Sequence, residues 1–127
     1  MTENELSKQI VDAAYKIHTT LGPGLLESVY EAVMAEELGR RGLQVTRQQA
    51  IPVIYENIRV EIGFRADLIV DGKVIIEIKS IAVLAPVHYK QLLTYLRLSG
   101  KRLGLLINFN TNLIKDGIAR VVNNLPE

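Results

Sequence analysis

At Gly42 the apolar residues of this chain stop recurring at three- and four-residue steps, and from Val45 they recur at every second residue. A 3.6-residue stripe is buried by a helix and a two-residue stripe by a strand. Leu6, Ile10, Ala13, Ala14, Ile17 and Leu21 predict a first helix over residues 4–20. Gly22-Pro23-Gly24 breaks it, because proline cannot continue the hydrogen-bond ladder and glycine permits a sharp redirection. Leu26, Val29, Tyr30, Val33, Met34 and Leu38 predict a second helix over residues 25–41, stopped at Gly42.

The strands follow. Val45, Arg47, Gln49, Ile51 and Val53 alternate with Gln44, Thr46, Gln48 and Ala50, and Pro52 interrupts that strand or places it at an edge. In the next run Ile58, Val60, Ile62, Phe64, Ala66, Leu68 and Val70 are expected on one face, with Arg59, Glu61, Arg65 and Asp67 on the other. Asp71-Gly72 signals a hairpin turn before a third strand, Lys73 to Ser80. Pro86 to Ser99 reads as a helix closed by Gly100, and Leu103 to Phe109 as a buried strand. Residues 114–123 fit a strand or a short helix. The order α-α-β-β-β-α-β implies an α/β fold, a mixed sheet flanked by helices rather than a doubly wound one.

Composition narrows the function classes. At 127 residues the chain is expected to form one domain, residues 1–127, and it needs no disulfide or structural metal to bury a core. The absence of cysteine excludes thiol catalysis and Cys-based zinc sites. The longest apolar run, Ile81 to Val87, falls far short of the roughly 20 residues of a membrane span. The N-terminal residues lack the basic start and apolar core of a signal peptide, so the expectation is a soluble cytoplasmic protein without membrane contact. Net charge is only +1, but it is unevenly spread. Residues 1–37 carry seven acids and two bases, whereas residues 38–127 carry seven acids and thirteen bases, so a polyanion meets the later portion more readily.

The unusual segment is Val74-Ile75-Ile76-Glu77-Ile78-Lys79-Ser80. Alternation puts Glu77 and Lys79 on one face of an otherwise apolar strand, where charges are costly to bury unless they pair or bind something. Asp67 interrupts the preceding strand in the same way. Two carboxylates with an ammonium beside them make a hard-oxygen site of the kind Mg²⁺ takes, completed by water and phosphate oxygens. The carboxylates meet only in one register. A two-residue Asp71-Gly72 loop would send Asp67 and Glu77 to opposite faces. A three-residue Val70-Asp71-Gly72 loop, with Gly72 left-handed, pairs Asp67 with Ile75 and puts Asp67, Glu77 and Lys79 on one face.

Asp67 followed by Glu77-Ile78-Lys79 resembles the core of the PD-(D/E)XK nuclease superfamily, with Ala66 standing where its name has proline. Gly24-Leu25-Leu26-Glu27-Ser28-Val29-Tyr30 is similar to the signature of the small bacterial GxxExxY proteins, placed in that superfamily. Gln91-Leu92-Leu93-Thr94-Tyr95 resembles the Q-x-x-x-Y helix motif of its helicase-associated exonuclease branch. The resemblance implies a restriction-endonuclease-like fold and roles for individual residues. Asp67, Glu77 and the Ile78 carbonyl would ligate Mg²⁺, with Mn²⁺ as a substitute, and Glu27 would be a further ligand or orient a metal-bound water. Lys79 would position or activate the attacking water or stabilise phosphate charge, and Gln91 would hydrogen-bond near the site. Tyr95 would contact substrate or brace Gln91. Tyr30, Arg65 and Ser80 are the further substrate-binding candidates.

The implied activity is Mg²⁺-dependent hydrolysis of DNA phosphodiester bonds, by a homodimer because so small a domain offers little surface to grip a duplex. The competing reading is a non-catalytic nucleic-acid- or protein-binding module that keeps the fold. Arg47, Arg59 and Arg65 fit phosphate contacts and plain strand-face charges equally well. His18 and His88 lack spacing suited to a metal and read as structural.

Overall fold

Thr2 starts the first helix with a reciprocal cap: its Oγ1 accepts from the Glu5 N–H at 3.1 Å, and its own N–H donates to Glu5 Oε1 at 2.9 Å. The computed structural model describes residues 1–126. From that cap run α1 (Glu3–Leu21), α2 (Glu27–Arg40), β1 (Val45–Tyr55), β2 (Ile58–Val70), β3 (Val74–Lys79), α3 (Pro86–Ser99), β4 (Leu103–Asn108) and β5 (Ile118–Val122). The stretch that fitted a strand or a helix supplies both in turn, a 3₁₀ turn at Ile114–Gly117 and then β5. Among the described residues no helix is long and apolar enough to cross a membrane.

The strands form one sheet in the order β1-β2-β3-β4-β5. All neighbours are antiparallel except β3 and β4, whose parallel pairing requires the α3 crossover between them. This is the expected mixed sheet flanked by helices. β1 lies at an edge, where Pro52 sits at a register shift between Ile51 and Val53.

Each sheet face has its own core. Leu6, Ile10, Ala13, Ala14 and Ile17 of α1, with Tyr30, Met34 and Leu38 of α2, pack on Leu68, Val70, Ile76, Ile78 and Ile107. On the other face Leu92 and Leu96 of α3 pack on Ala66, Ile69, Ile75 and Leu106. All seven acids of residues 1–37 lie on α1 and α2, on the face away from α3.

Two strand expectations fail, both near Asp67. The alternation of β2 does not run unbroken: Phe64 and Ala66 pack on the α3 side, whereas Leu68 and Val70 pack on the α1–α2 side. Arg65 and Asp67 line the α3-side cleft described below, so the inversion falls at Asp67. Farther out, Ile58, Val60 and Ile62 are half exposed, because the β1–β2 ribbon extends past β3, which pairs only with Leu68 to Val70. The hairpin loop is also displaced by one residue. Val70 pairs with Val74, leaving Asp71, Gly72 and Lys73 as the loop instead of Val70 to Gly72. Asp71 (φ 50°) and Gly72 (φ 66°) are both left-handed, and the Lys73 N–H closes the turn on the Val70 carbonyl at 2.9 Å. The loop still has three residues, so the parity is unchanged, and Asp67 and Glu77 line one cleft just beyond the last pair, Leu68–Ile76.

Candidate active site

β2, β3 and α3 enclose a cleft of about 170 Å³ lined by Arg65, Asp67, Glu77, Lys79, His88, Gln91, Leu92, Tyr95 and Leu106. The sheet supplies the charges, since alternate residues of β3 place Glu77 and Lys79 on the side that Asp67 faces. The helix supplies the opposite wall, where Gln91 and Tyr95 lie one turn apart. Phe64 stacks on Tyr95, with ring centroids 3.9 Å apart and planes 6° apart, which ties β2 to α3 beside the cleft.

The two carboxylates are treated unequally. Asp67 Oδ2 accepts the Ile78 N–H at 2.8 Å and Oδ1 accepts Gln48 Nε2 at 3.2 Å. Glu77 is 7% exposed, and its Oε1 is buried without a hydrogen-bond partner. Burial, with the neighbouring Asp67 charge second, pushes the Glu77 carboxyl up to about 9, and the Lys79 ammonium opposes both. Burial and the charges of Glu77 and Asp67 also raise the Tyr95 hydroxyl, which stays protonated and available as a donor.

A bare carboxylate oxygen in a polar cleft is where a cation would relieve both the missing contact and the Asp67–Glu77 repulsion. Among the described residues no group of three or more histidine and carboxylate side chains is poised to hold an ion. The cleft's own carboxylates are Asp67 and Glu77, both hard-oxygen donors, so the remaining positions around an ion held there would fall to backbone oxygen, water and substrate. That pattern fits Mg²⁺, which keeps several waters and uses one or two carboxylates.

Four sequence candidates do not line the cleft: Ile78, whose side chain is buried against α1 and α2, and three others. Tyr30 is fully buried and stacks on Phe109 at 4.4 Å; its hydroxyl donates to the Gly22 carbonyl at 2.5 Å and accepts from the Leu25 N–H at 3.2 Å. The side chain is thereby committed to the α1–α2 connection and lies outside the cleft. Ser80 is spent in the same region, donating from Oγ to the Leu25 carbonyl at 2.7 Å. Glu27 Oε2 accepts the Ser80 N–H at 3.0 Å, anchoring the end of β3 from the α2 side. It shares a second depression with Glu31, Gln48, Asp67 and Ile78, and so reaches the back of Asp67 rather than the cleft.

One polar residue of the cleft, and one that braces the loop beside it, were not singled out by the sequence. His88 lines the cleft while its Nδ1 accepts the Ala85 N–H at 2.9 Å, which makes Nε2 the protonated nitrogen of the neutral ring. Its place in the first turn of α3, three residues before Gln91, was the available signal. Asn108 is buried at the end of β4, where Oδ1 accepts from Ile81 and Asn110, and Nδ2 donates to the Ile81 carbonyl. It thereby pins the loop that follows Lys79.

The chain matches the family model of the PD-(D/E)XK nuclease superfamily over residues 4–121, a span that includes every residue of the cleft. No curated protein and no solved structure matches it.

Proposed function

Since the chain belongs to the PD-(D/E)XK nuclease superfamily, whose nucleases generally use divalent metal ions, we propose that its cleft hydrolyses DNA phosphodiester bonds with Mg²⁺. The observation that carries this reading is the unpartnered Oε1 of buried Glu77, beside Asp67 and on the same face as Lys79. Asp67, Glu77 and the Ile78 carbonyl would hold the ion. When bound, it lowers the pKa of a coordinated water and offsets phosphate charge.

The side chains supply the rest. The three donors of the Lys79 ammonium engage a phosphate oxygen and the attacking water, offsetting charge that grows as the phosphorus becomes five-coordinate. Gln91 and the protonated Tyr95 hydroxyl hydrogen-bond to substrate from α3, and Arg65 engages an adjacent phosphate from β2. The acids gathered on α1 and α2 leave the α3 side as the approach for a polyanion. In this reading Glu27 is an anchor for β3, and the Gly24–Tyr30 segment, which resembles the GxxExxY signature, is the loop lock that holds that anchor in place. The protein acts in the cytoplasm as a homodimer, the second copy meeting the exposed apolar ribbon of Ile54, Tyr55, Ile58 and Val60; a single monomeric species in sedimentation equilibrium rejects the dimer.

Cleavage of single- and double-stranded DNA by wild type and Lys79→Ala, each shown to be folded, tests the activity. Metal-dependent cleavage in wild type and its loss in the variant are expected. Equal cleavage by both overturns the assignment of Lys79. Salt-sensitive DNA binding without turnover in wild type makes the protein a binding module instead.

A further inference from the structure

Gln48 has φ 52°, in the left-handed region, and it lies within strand β1. The other non-glycine residues with positive φ, Glu56, Asp71 and Asn124, lie outside the strands. A left-handed residue that is neither glycine nor in a turn is strained, and such strain persists where the surroundings enforce it. Here the surroundings are two carboxylates. Gln48 Nε2 donates to Glu31 Oε1 at 2.5 Å and to Asp67 Oδ1 at 3.2 Å. Glu31 is buried on α2, and Arg47 holds its Oε2 through Nη2 at 3.1 Å and Nε at 3.3 Å.

Arg47 pairs with Leu68 and Gln49 with Ala66, so Gln48 stands across from Asp67 at the point where β2 inverts its alternation. The excursion of β1 and the inversion of β2 thus coincide. Together with the Ile78 N–H on Oδ2, the Gln48 amide gives each oxygen of Asp67 a fixed donor. Each oxygen keeps a further lone pair for a ligand.

We propose that Gln48, backed by Glu31 and Arg47, is a positioning residue that fixes the orientation of the Asp67 carboxylate for ion binding. The inference rests on Asp67 being an ion ligand. Donors to a ligating carboxylate typically govern affinity by about 10–100-fold, without touching the ion.

The test is Mn²⁺ binding by calorimetry together with the thermal midpoint of the metal-free protein, in wild type, Gln48→Gly, Gln48→Asn and Asp67→Asn. Glycine relieves the left-handed strain and deletes the amide. Gln48→Gly should therefore bind Mn²⁺ about 10-fold more weakly, or worse. Asparagine tolerates positive φ and keeps an amide, so it should recover part of the affinity. It also serves if the glycine variant does not fold. An unchanged affinity in Gln48→Gly, or an asparagine variant that binds no better than the glycine one, makes Gln48 a tie between α2 and the sheet and overturns the proposal. Wild type that binds no Mn²⁺ removes Asp67 as a ligand, and the positioning role falls with it. Wild-type binding abolished by Asp67→Asn but unaltered by Gln48→Gly removes the positioning role alone.

Discussion

Asp67 of β2 and Glu77 of β3 face one cleft, yet Asp67 has a donor on each oxygen while Glu77 keeps one buried oxygen bare. Their proximity means that ionising both without a counter-charge is costly, and the burial of Glu77 adds to the cost. Lys79, on the same face, offsets only part of it. A cation bound in the cleft would remove that cost.

The stability of the metal-free protein should fall as pH rises. The Glu77 carboxyl sits at about 9 in the fold and in the ordinary glutamate range when unfolded. Between those values the folded state holds one proton more, so its advantage is complete below the unfolded value and is lost as pH rises through the folded one. The slope contributed is up to about 1.4 kcal/mol per pH unit. Urea unfolding in chelator at pH 5, 7 and 9 reads this directly. Glu77→Gln should flatten the dependence and leave the variant more stable than wild type at pH 8. A wild-type stability that rises over that range would count against a buried, metal-free Glu77.

A divalent ion should reverse that trend. Ion binding displaces the Glu77 proton, so the rise in thermal midpoint with saturating Mn²⁺ should be larger at pH 8 than at pH 5.5. At a hundredfold excess over Kd the stabilisation is about 2.7 kcal/mol. Asp67→Asn and Glu77→Gln should lose it. Lys79→Ala should keep it, because an ammonium is not a ligand. Loss of the shift in Lys79→Ala alone would contradict this division of roles.

Tyr30→Phe should act on stability and leave ion binding alone. The stack on Phe109 survives the change, but the Gly22 carbonyl and the Leu25 N–H lose their partner. Leaving such groups unpaired costs about 1–3 kcal/mol. Chemical denaturation should show that loss with Mn²⁺ affinity unchanged. Normal stability with weakened DNA binding would return Tyr30 to the substrate.

The fold was legible where one period held over many residues. The stripe of α1 and the Pro86–Ser99 helix, with proline at its start and left-handed Gly100 at its end, lie where the pattern placed them. The acid–acid–lysine face was legible because a three-residue loop fixes parity, even though the loop itself is Asp71 to Lys73. What the sequence hid are contacts between segments distant along the chain. Alternation along β2 gave no sign of inverting at Asp67, because the distortion that accompanies it lies in β1, at Gln48. A tyrosine in a recognisable motif read as substrate-binding, but its hydroxyl closes a loop eight residues back. His88 read as structural because no metal-binding partner stood at helical spacing, and only the packing of α3 on the sheet brings it to the cleft.

That packing rests on a missing side chain. Gly104 of β4 faces Leu92 of α3, and a Cβ there would come within 2.8 Å of the branch carbon and both terminal carbons of the leucine. Gly104→Ala should therefore overpack the interface, at a cost of about 1–3 kcal/mol. The helix can yield by lifting, and it carries Gln91 and Tyr95, immediately before Leu92 and three residues after it. DNA binding should then weaken beyond what the stability loss explains, while Mn²⁺ affinity holds because Asp67 and Glu77 lie on strands. Leu92→Val removes one carbon from the contact and should recover part of both losses when combined with Gly104→Ala, although alone it leaves a small cavity. Additive losses in that double variant would mean that α3 is not seated through this contact, and the cleft wall would have to be held elsewhere.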